Sequence, residues 1–367
     1  MTTLRERFDL LSSTGDAGGN DQKLSPTSSV SQVKANDIAT PHSRDLLRDE
    51  VDHLPRAQIL VKGGKTLVLV AKADQIPHVL HEIGRTREIT FRGIGEGTGG
   101  SLDLDHFDTY YDHLFLWNEE TNEVVGAYRI GRTDDILKRF GKHGLYTSHL
   151  FEYKPKLLEL LNPALELGRS FIRPEYQRGY SSLLLLWRGI GQYVLRNPQY
   201  RYLFGAVGIS NEYQFASKQL LLAFLQHNHY KSDLAQLVRG RTRVRADLIK
   251  GWNSQVNDPG TRDVDEISTL ISEIEAGDKG FPILLKRYLK LGGKLLGFSI
   301  DTHLADSLVG LILVDLVRTD PKNLELYMGE VGVARFLTHH SRRDGSQRRC
   351  SDADVVRNRQ SVSHKRR

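Results

Sequence analysis

The stretch from Glu166 to Gly191, ELGRSFIRPEYQRGYSSLLLLWRGIG, constrains the fold of this chain more than any other. A β-prone segment runs into a turn, and the turn opens an apolar segment of helical length that stops at Asn197-Pro198. A strand feeding a helix through a tight turn is a basic unit of α/β architecture. The free N–H groups of the first helical turn, together with the helix dipole, favour an anion at that point. Arg178 and Gly179 add a cation and a backbone open to close approach, while Ser181 and Ser182 are small polar residues suited to a helix start. The turn reads either as a phosphate or pyrophosphate cradle or as an ordinary strand–turn–helix junction.

The surrounding pattern extends this unit. Residues 58–73, QILVKGGKTLVLVAKA, predict two short strands about a Gly-Gly turn. Residues 75–92 have apolar positions at helical spacing and predict a helix starting near Pro77. HLFLWNEETNEVVGAYRIG predicts a β-hairpin, DDILKRFG and Pro155–Leu161 predict helices, and LELGRSFIR predicts a strand. YRYLFGAVGIS is a further strand and NEYQFASKQLLLAFLQHNH a further helix. Strands alternating with helices, with a hairpin among them, predict an α/β fold with a mixed sheet. Further on, DEISTLISEIEAG and FPILLKRYLKLGGKLLGF read as helices, GLILVDLVR as a strand, and a short helix follows Pro321. The expected organisation is a disordered tail over 1–55, a catalytic-sized domain over 56–250, an extension over 251–337 packing on it, and a basic disordered tail over 338–367.

Composition narrows the class. Of 367 residues, 39% are hydrophobic and 26% charged, an ordinary globular balance. No run of 18 apolar residues suggests a membrane span, and the first residues lack the apolar stretch of a secretory signal. The single cysteine, Cys350, excludes an intrachain disulfide and a thiolate metal cluster, so a reducing, cytoplasmic setting is expected. His227, His229, His339 and His340 have no metal-ligand spacing, and no metal or bound cofactor is expected. The formal net charge of +6 points to an acidic partner: nucleic acid, anionic lipid or an acidic carrier protein. The Arg239–Arg245 cluster and the Arg-rich tail could serve nucleic acid, but they lack interleaved aromatic residues and a docking module, so no nucleic acid is expected.

Several motifs carry a family resemblance. The strand, the Gln177-Arg178-Gly179 turn and the following helix resemble the acyl-donor motif of the GNAT superfamily, with Ser181 where a further Gly or Ala is usual. Glu166-x-x-Arg169 resembles the signature shared by acyl-homoserine-lactone synthases and ornithine-lipid N-acyltransferases. Arg87-x-x-x-Phe91, Asp103-x-Asp105-x-x-Asp108 and Gly126-x-x-Arg129 match spacings of their acceptor and electrostatic network, with Asp103 where Glu is usual. Across about residues 60–337 the chain most resembles the haemolysin-like N-acyltransferases related to ornithine-lipid synthesis. The resemblance implies a GNAT-like, mostly antiparallel sheet flanked by helices, with a C-terminal α+β extension. It also implies transfer of a fatty acyl group, such as a 3-hydroxy acyl group, from an acyl carrier protein thioester to the α-amine of an amino acid such as ornithine, giving a lyso-aminolipid. Some relatives carry a phosphate-acyltransferase-like domain with a His-x-x-x-x-Asp motif in front of this unit. His42 with Asp45 has the wrong spacing, so O-acylation is expected to need a separate protein.

Acyl transfer to an amine needs a neutral amine, a polarised carbonyl and a protonated leaving thiol. Glu166 is the candidate proton acceptor, or else an ion-pair partner of Arg169 or Arg129. Arg129 and Arg169 suit a two-pronged grip on the acceptor carboxylate. Asp103, Asp105 and Asp108 could receive the acceptor's ammonium or form a solvated turn. Ser210 and Tyr213 stand where a hydroxyl could protonate the thiolate, though Tyr213 also fits a packed helix. His113 reads as a core histidine. GIGEGTGG lacks the preceding strand and following helix of a dinucleotide site. SSLLLLWRGIGQYVL is core or acyl groove, and PILLKRYLKLGGKLLGF is an interfacial helix on the inner membrane face or a domain cap.

Overall fold

The computed structural model describes residues 36–177, 181–245, 263–277 and 279–342. The chain begins its described part with helix α1, Arg44–His53, whose Leu47 and Val51 are buried. The Glu50 carboxylate accepts the His78 and Val79 backbone amides at 2.8 Å each, at the start of the next helix. The expected disordered tail over 1–55 is therefore corrected for its last part: 36–55 is anchored by two apolar residues and one helix-capping carboxylate, too few to give a periodic signal. The remainder of that expected tail lies outside the described residues.

The two strands about the Gly-Gly turn form as expected, β1 (Ile59–Gly63) and β2 (Thr66–Ala71), with Gly64 at φ +63°. Helix α2 follows over Pro77–Arg92, then the hairpin β3 (Asp112–Asn118) and β4 (Glu123–Arg132). Helix α3 (Thr133–Phe140), strand β5 (Phe151–Tyr153), helix α4 (Pro155–Leu161) and strand β6 (Ala164–Ile172) lead to helix α5, Ser181–Arg196. Strand β7 (Tyr202–Ile209), helix α6 (Phe215–Asn228) and the short strand β8 (Val238–Gly240) come next. Helices α7 (Val264–Ile274) and α8 (Ile283–Lys290), strands β9 (Lys294–Asp301) and β10 (Ser307–Asp315), and helix α9 (Pro321–Met328) follow.

The main sheet has the order β1-β2-β3-β4-β6-β7-β10-β9, and β5 pairs with β8 separately. All neighbours in the main sheet are antiparallel except β6 and β7. Alternation sorts the strand side chains to two faces. Leu69, Phe115 and Trp117 pack with Val79 and Ile83 of α2. On the other face α5 approaches so closely that a Cβ on Gly189 would lie 2.4 Å from Val68. The outcome is a mostly antiparallel sheet between helices, as the resemblance implied.

Three expectations change near the C-terminus. The helix expected over 281–298 ends at Lys290; Gly292, at φ +77°, turns the chain and KLLGFSID becomes edge strand β9. Strand β10 enters the same sheet between β7 and β9, pairing with β7 from Leu308↔Ile209 to Asp315↔Tyr202. The basic tail expected from 338 is helical to 342, where a helix over 330–342 buries Phe336 and His340. Helix α8 buries Leu285, Tyr288 and Leu289 in the protein, as a cap would. The basic Arg239–Arg245 cluster begins inside β8, with Arg239 on Glu152 and Arg241 on the Ser148 carbonyl.

Candidate active site

Strands β6 and β7 run parallel only over three register pairs, Ala164↔Tyr202 to Glu166↔Phe204, and then part. A Cβ on Gly205 would lie 2.1 Å from the Leu167 carbonyl oxygen, so glycine is what lets the strands touch at the fork. Past the fork opens a cavity of about 220 Å³. Leu167, Gly168, Arg169 and Ser170 of β6 form one wall, and Ala206, Val207 and Gly208 of β7 the other. Parted strands leave backbone donors and acceptors unpaired, which suits a carbonyl compound laid between them.

A β-bulge aims the key side chain. Ala127 faces Phe171 and Arg129 faces Gly168, so β6 carries an extra residue opposite Tyr128. Arg169 sits in that bulge at φ +50°, an uncommon conformation for a residue with a Cβ. Its side chain is 6% exposed and lies 3.7 Å from both Asp103 and Asp105. Arg129 is buried beside it, 2.6 Å from Asp105 and 3.2 Å from Asp108. Arg87 contacts Asp103 at 3.1 Å and Asp108 at 2.9 Å. Three guanidinium groups thus neutralise three aspartates in a closed network. Burial alone would raise the Asp108 pKa, but Arg87 and Arg129 hold it well below the usual carboxylate range.

All three cations keep a nitrogen without a hydrogen-bond partner, Nε in Arg87, and two of them reach the cavity. Nε and Nη2 of Arg129, and Nε and Nη1 of Arg169, have no hydrogen-bond partner, and both side chains line the cavity. Buried donors left unpaired are costly and rare, so they mark a place for an acceptor. The aspartates themselves do not line the cavity among the described residues; they hold the arginines. Phe91 does line it, whereas Arg87 stands behind.

Glu166 lies within β6 rather than at its opening, buried and lining the cavity. Its carboxylate accepts from the Tyr111 hydroxyl, from the Tyr146 amide at 3.2 Å and from the Thr147 amide at 2.7 Å. Burial raises its pKa against these donors. The alternative reading, an ion pair with Arg129 or Arg169, does not form; Glu166 instead braces the turn that carries Tyr146 over both arginines. The Arg129 and Arg169 guanidinium carbons stand 5.1 and 5.0 Å from the Tyr146 ring centre.

The remaining expected residues are scattered. Tyr213 donates to the Gly280 carbonyl at 2.8 Å and Ser210 to the Ile94 carbonyl at 3.3 Å, and neither lines the cavity. Burial and Glu275 push the Tyr213 hydroxyl up to about 12. The hydroxyl-bearing residues that do line the cavity are Tyr111, Tyr128, Tyr146, Ser170, Tyr288 and Ser307. Ser182 donates to the Tyr176 carbonyl at 3.3 Å, Gln177 to the Ile172 carbonyl at 2.7 Å, and Ser181 is exposed at the start of α5. Arg178 and Gly179 lie outside the described residues. His113 is a core histidine: burial lowers its pKa and its Nε2–H donates to the Asp108 carbonyl.

Sequence reading passed over two cavity carboxylates, Glu96 and Asp301. Glu96 belongs to the GIGEGTGG loop, which the buried Glu88 folds by accepting from Thr98 N at 3.0 Å and Gly99 N at 3.0 Å. Its only signal was being the lone acid among glycines, five residues past Phe91.

The fork, bulge and arginine-lined cavity fit an acyltransferase, and the comparisons agree. Residues 86–188 match the family described as Acetyltransferase (GNAT) domain. A glycine N(alpha)-acyltransferase of Bacteroides thetaiotaomicron is 31% identical over 287 residues, covering 74% of this chain and 83% of that protein. An L-ornithine N(alpha)-acyltransferase of Rhodobacter capsulatus is 30% identical over 236 residues, covering 63% of this chain and 81% of that one. A CoA-dependent acyl-homoserine lactone synthase, BjaI, solved with SAM and isopentyl-CoA, is 12% identical with a TM-score of 0.35, over 74% of this chain and 98% of that one. The chain belongs to the amino-acid N(alpha)-acyltransferase family of the GNAT superfamily, and it is an N-acyltransferase.

Proposed function

We propose that this enzyme moves a fatty acyl group from an acyl carrier protein thioester to the α-amine of a small amino acid, giving a lyso-aminolipid. Glycine and L-ornithine, the acceptors named for its relatives, are the first candidates. The observation that carries the reading is the pair of buried guanidiniums, Arg129 and Arg169, with unpaired donors on a cavity between parted strands. A carboxylate satisfies such donors and fixes the acceptor, so that its amine meets the thioester carbonyl laid between β6 and β7. Phe91, Leu167, Val207, Leu284 and Val309 give the apolar lining an acyl chain needs. Asp103, Asp105 and Asp108 act as the charge balance that keeps these arginines ordered.

The purified protein is assayed with acyl carrier protein and CoA thioesters against glycine, serine and ornithine, with N-acyl products read by mass spectrometry. N-acylation of at least one amino acid is expected, with carrier-protein rates that fall as salt is raised while CoA rates hold. No N-acyl amino acid from any pair overturns the reading, and salt-independent rates equal for both donors overturn the carrier-protein part. Among the described residues no helix is long and apolar enough to cross a membrane. The exposed Ile283 at the start of α8 is the place to test for peripheral contact, by flotation with anionic vesicles.

A further inference from the structure

We propose that Glu96, facing the same cavity as Asp301, receives the acceptor's ammonium and takes the proton that frees the amine for attack. The inference rests on the acyltransferase reading above and assigns the base within it. Glu96 is 7% exposed, and its Oε1 has no hydrogen-bond partner in the structure. Asp301 is 1% exposed, fixed by the Tyr146 hydroxyl at 2.6 Å and by accepting from the His303 amide at 3.0 Å. Both line the cavity that also holds Arg129 and Arg169. The cavity is therefore bipolar: spare cationic donors from β4 and β6, and from the glycine loop a carboxylate with a spare oxygen, with the already hydrogen-bonded Asp301 carboxylate of β9 on the same cavity. An α-amino acid, with carboxylate and ammonium on one carbon, has the matching charges.

Glu166 is less suited to the task, since its oxygens already accept from Tyr111, Tyr146 and Thr147. Glu96 has a free oxygen and a proton affinity close to what a base at neutral pH needs. Burial pushes it up to about 7, with Asp301 and Glu212 adding to the rise and Ser307 and Lys218 opposing it. Gly208 faces this carboxylate from β7, where a Cβ would lie 3.5 Å from Glu96 Oε2.

The step balances. One ammonium proton passes to the Glu96 carboxylate, and the amine lone pair forms the C–N bond to the thioester carbonyl carbon. The C–S bond then breaks. The second proton lost by nitrogen ends on the departing thiolate, and Glu96 returns its proton to solvent, so the reaction releases one proton overall.

The test measures kcat/KM against pH for the parent, Glu96→Gln, Asp301→Asn and Arg169→Gln, with a melting curve for each. The parent is expected to lose activity below pH of about 7 as Glu96 becomes protonated. Glu96→Gln should lower kcat by about 100-fold or more, abolish that acidic limb and keep the fold. Asp301→Asn removes a negative neighbour, so the limb should move to lower pH; this decides the matter even if the Gln variant does not fold. Glu96→Gln activity within about threefold of the parent with the limb unchanged, or an unmoved limb in Asp301→Asn, overturns the assignment. If Arg169→Gln is inactive while Glu96→Gln is not, the base is overturned and the acyltransferase stands. If the parent acylates no amino acid, both fall.

Discussion

Asp108 and Glu96 are both buried carboxylates, 2% and 7% exposed, the first holding the cavity's arginines and the second lining the cavity itself, yet their surroundings push them in opposite directions. Asp108 sits between Arg87 and Arg129, and these cations outweigh burial and keep it ionised. Glu96 is pushed up to about 7 by burial and by Asp301. Desolvation is common to both; the sign of the nearest charge decides the result. One region is a closed, neutral network that holds arginines still. The other keeps an acidic group near its titration point, where a proton can move.

The strongest way to break this contrast is to remove one of the closed network's three cations. Arg87→Met should cost about 3–5 kcal/mol of unfolding free energy, because it leaves the buried Asp108 with Arg129 alone and Asp103 with only the more distant Arg169 at 3.7 Å. Asp108→Asn should also destabilise at neutral pH and lower turnover of glycine and ornithine alike, since Asp108 does not line the cavity. Its folded pKa is depressed, so its contribution is present above the unfolded value of about 3.9 and lost as pH falls through the folded one. The stability gap between parent and Asp108→Asn should therefore be constant from pH 7 to about 4 and shrink below that, read by urea titration.

Glu96→Gln should behave oppositely. A carboxyl whose folded pKa is raised gives stability below its unfolded value of about 4.3, and that stability is lost as pH rises towards 7. The Gln variant should then be more stable than the parent at pH 8, by an amount on the order of 3 kcal/mol, and similar to it at pH 4. Melting curves at the two pH values decide it. A gain in stability with a loss of turnover is what a site kept strained for function predicts.

Smaller effects test the fork and the helix start. Gly205→Ala should cost about 1–3 kcal/mol and lower kcat, because its Cβ forces β6 and β7 apart where Leu167 is met. Equal melting temperature and rate would remove the fork from the argument. Ser182→Ala should cost about 1 kcal/mol at most through the lost Tyr176 contact. A rise in KM for the acyl donor alone would place the start of α5 at the donor.

Much of this was legible in the residues. The Gly63-Gly64 turn, Pro77 at the start of α2, the 113–131 hairpin and the stop at Asn197 follow from turn chemistry and from periods of two and 3.6, which act over a few neighbours. The resemblance motifs also picked out Arg129 and Arg169, since their spacing survives in sequence. The edges failed where local signals were thin or ambiguous. The run KLLGFSID has no period to separate strand from helix, and β9 became a strand because β10 was there to pair with it.

What the sequence by itself determined was the inventory: which segments could be strands or helices, and which arginines and carboxylates were available. Tertiary structure alone decided where β10 lies, because its pairing with β7 joins residues about a hundred positions apart. It also set Arg169 in a positive-φ bulge and brought Glu96 to the cavity that Asp301 lines, from opposite parts of the chain. The physical reason is the same in each case. Strand pairing and the ionisation of a buried acid depend on what arrives through space, and that is known only once the chain has closed upon itself.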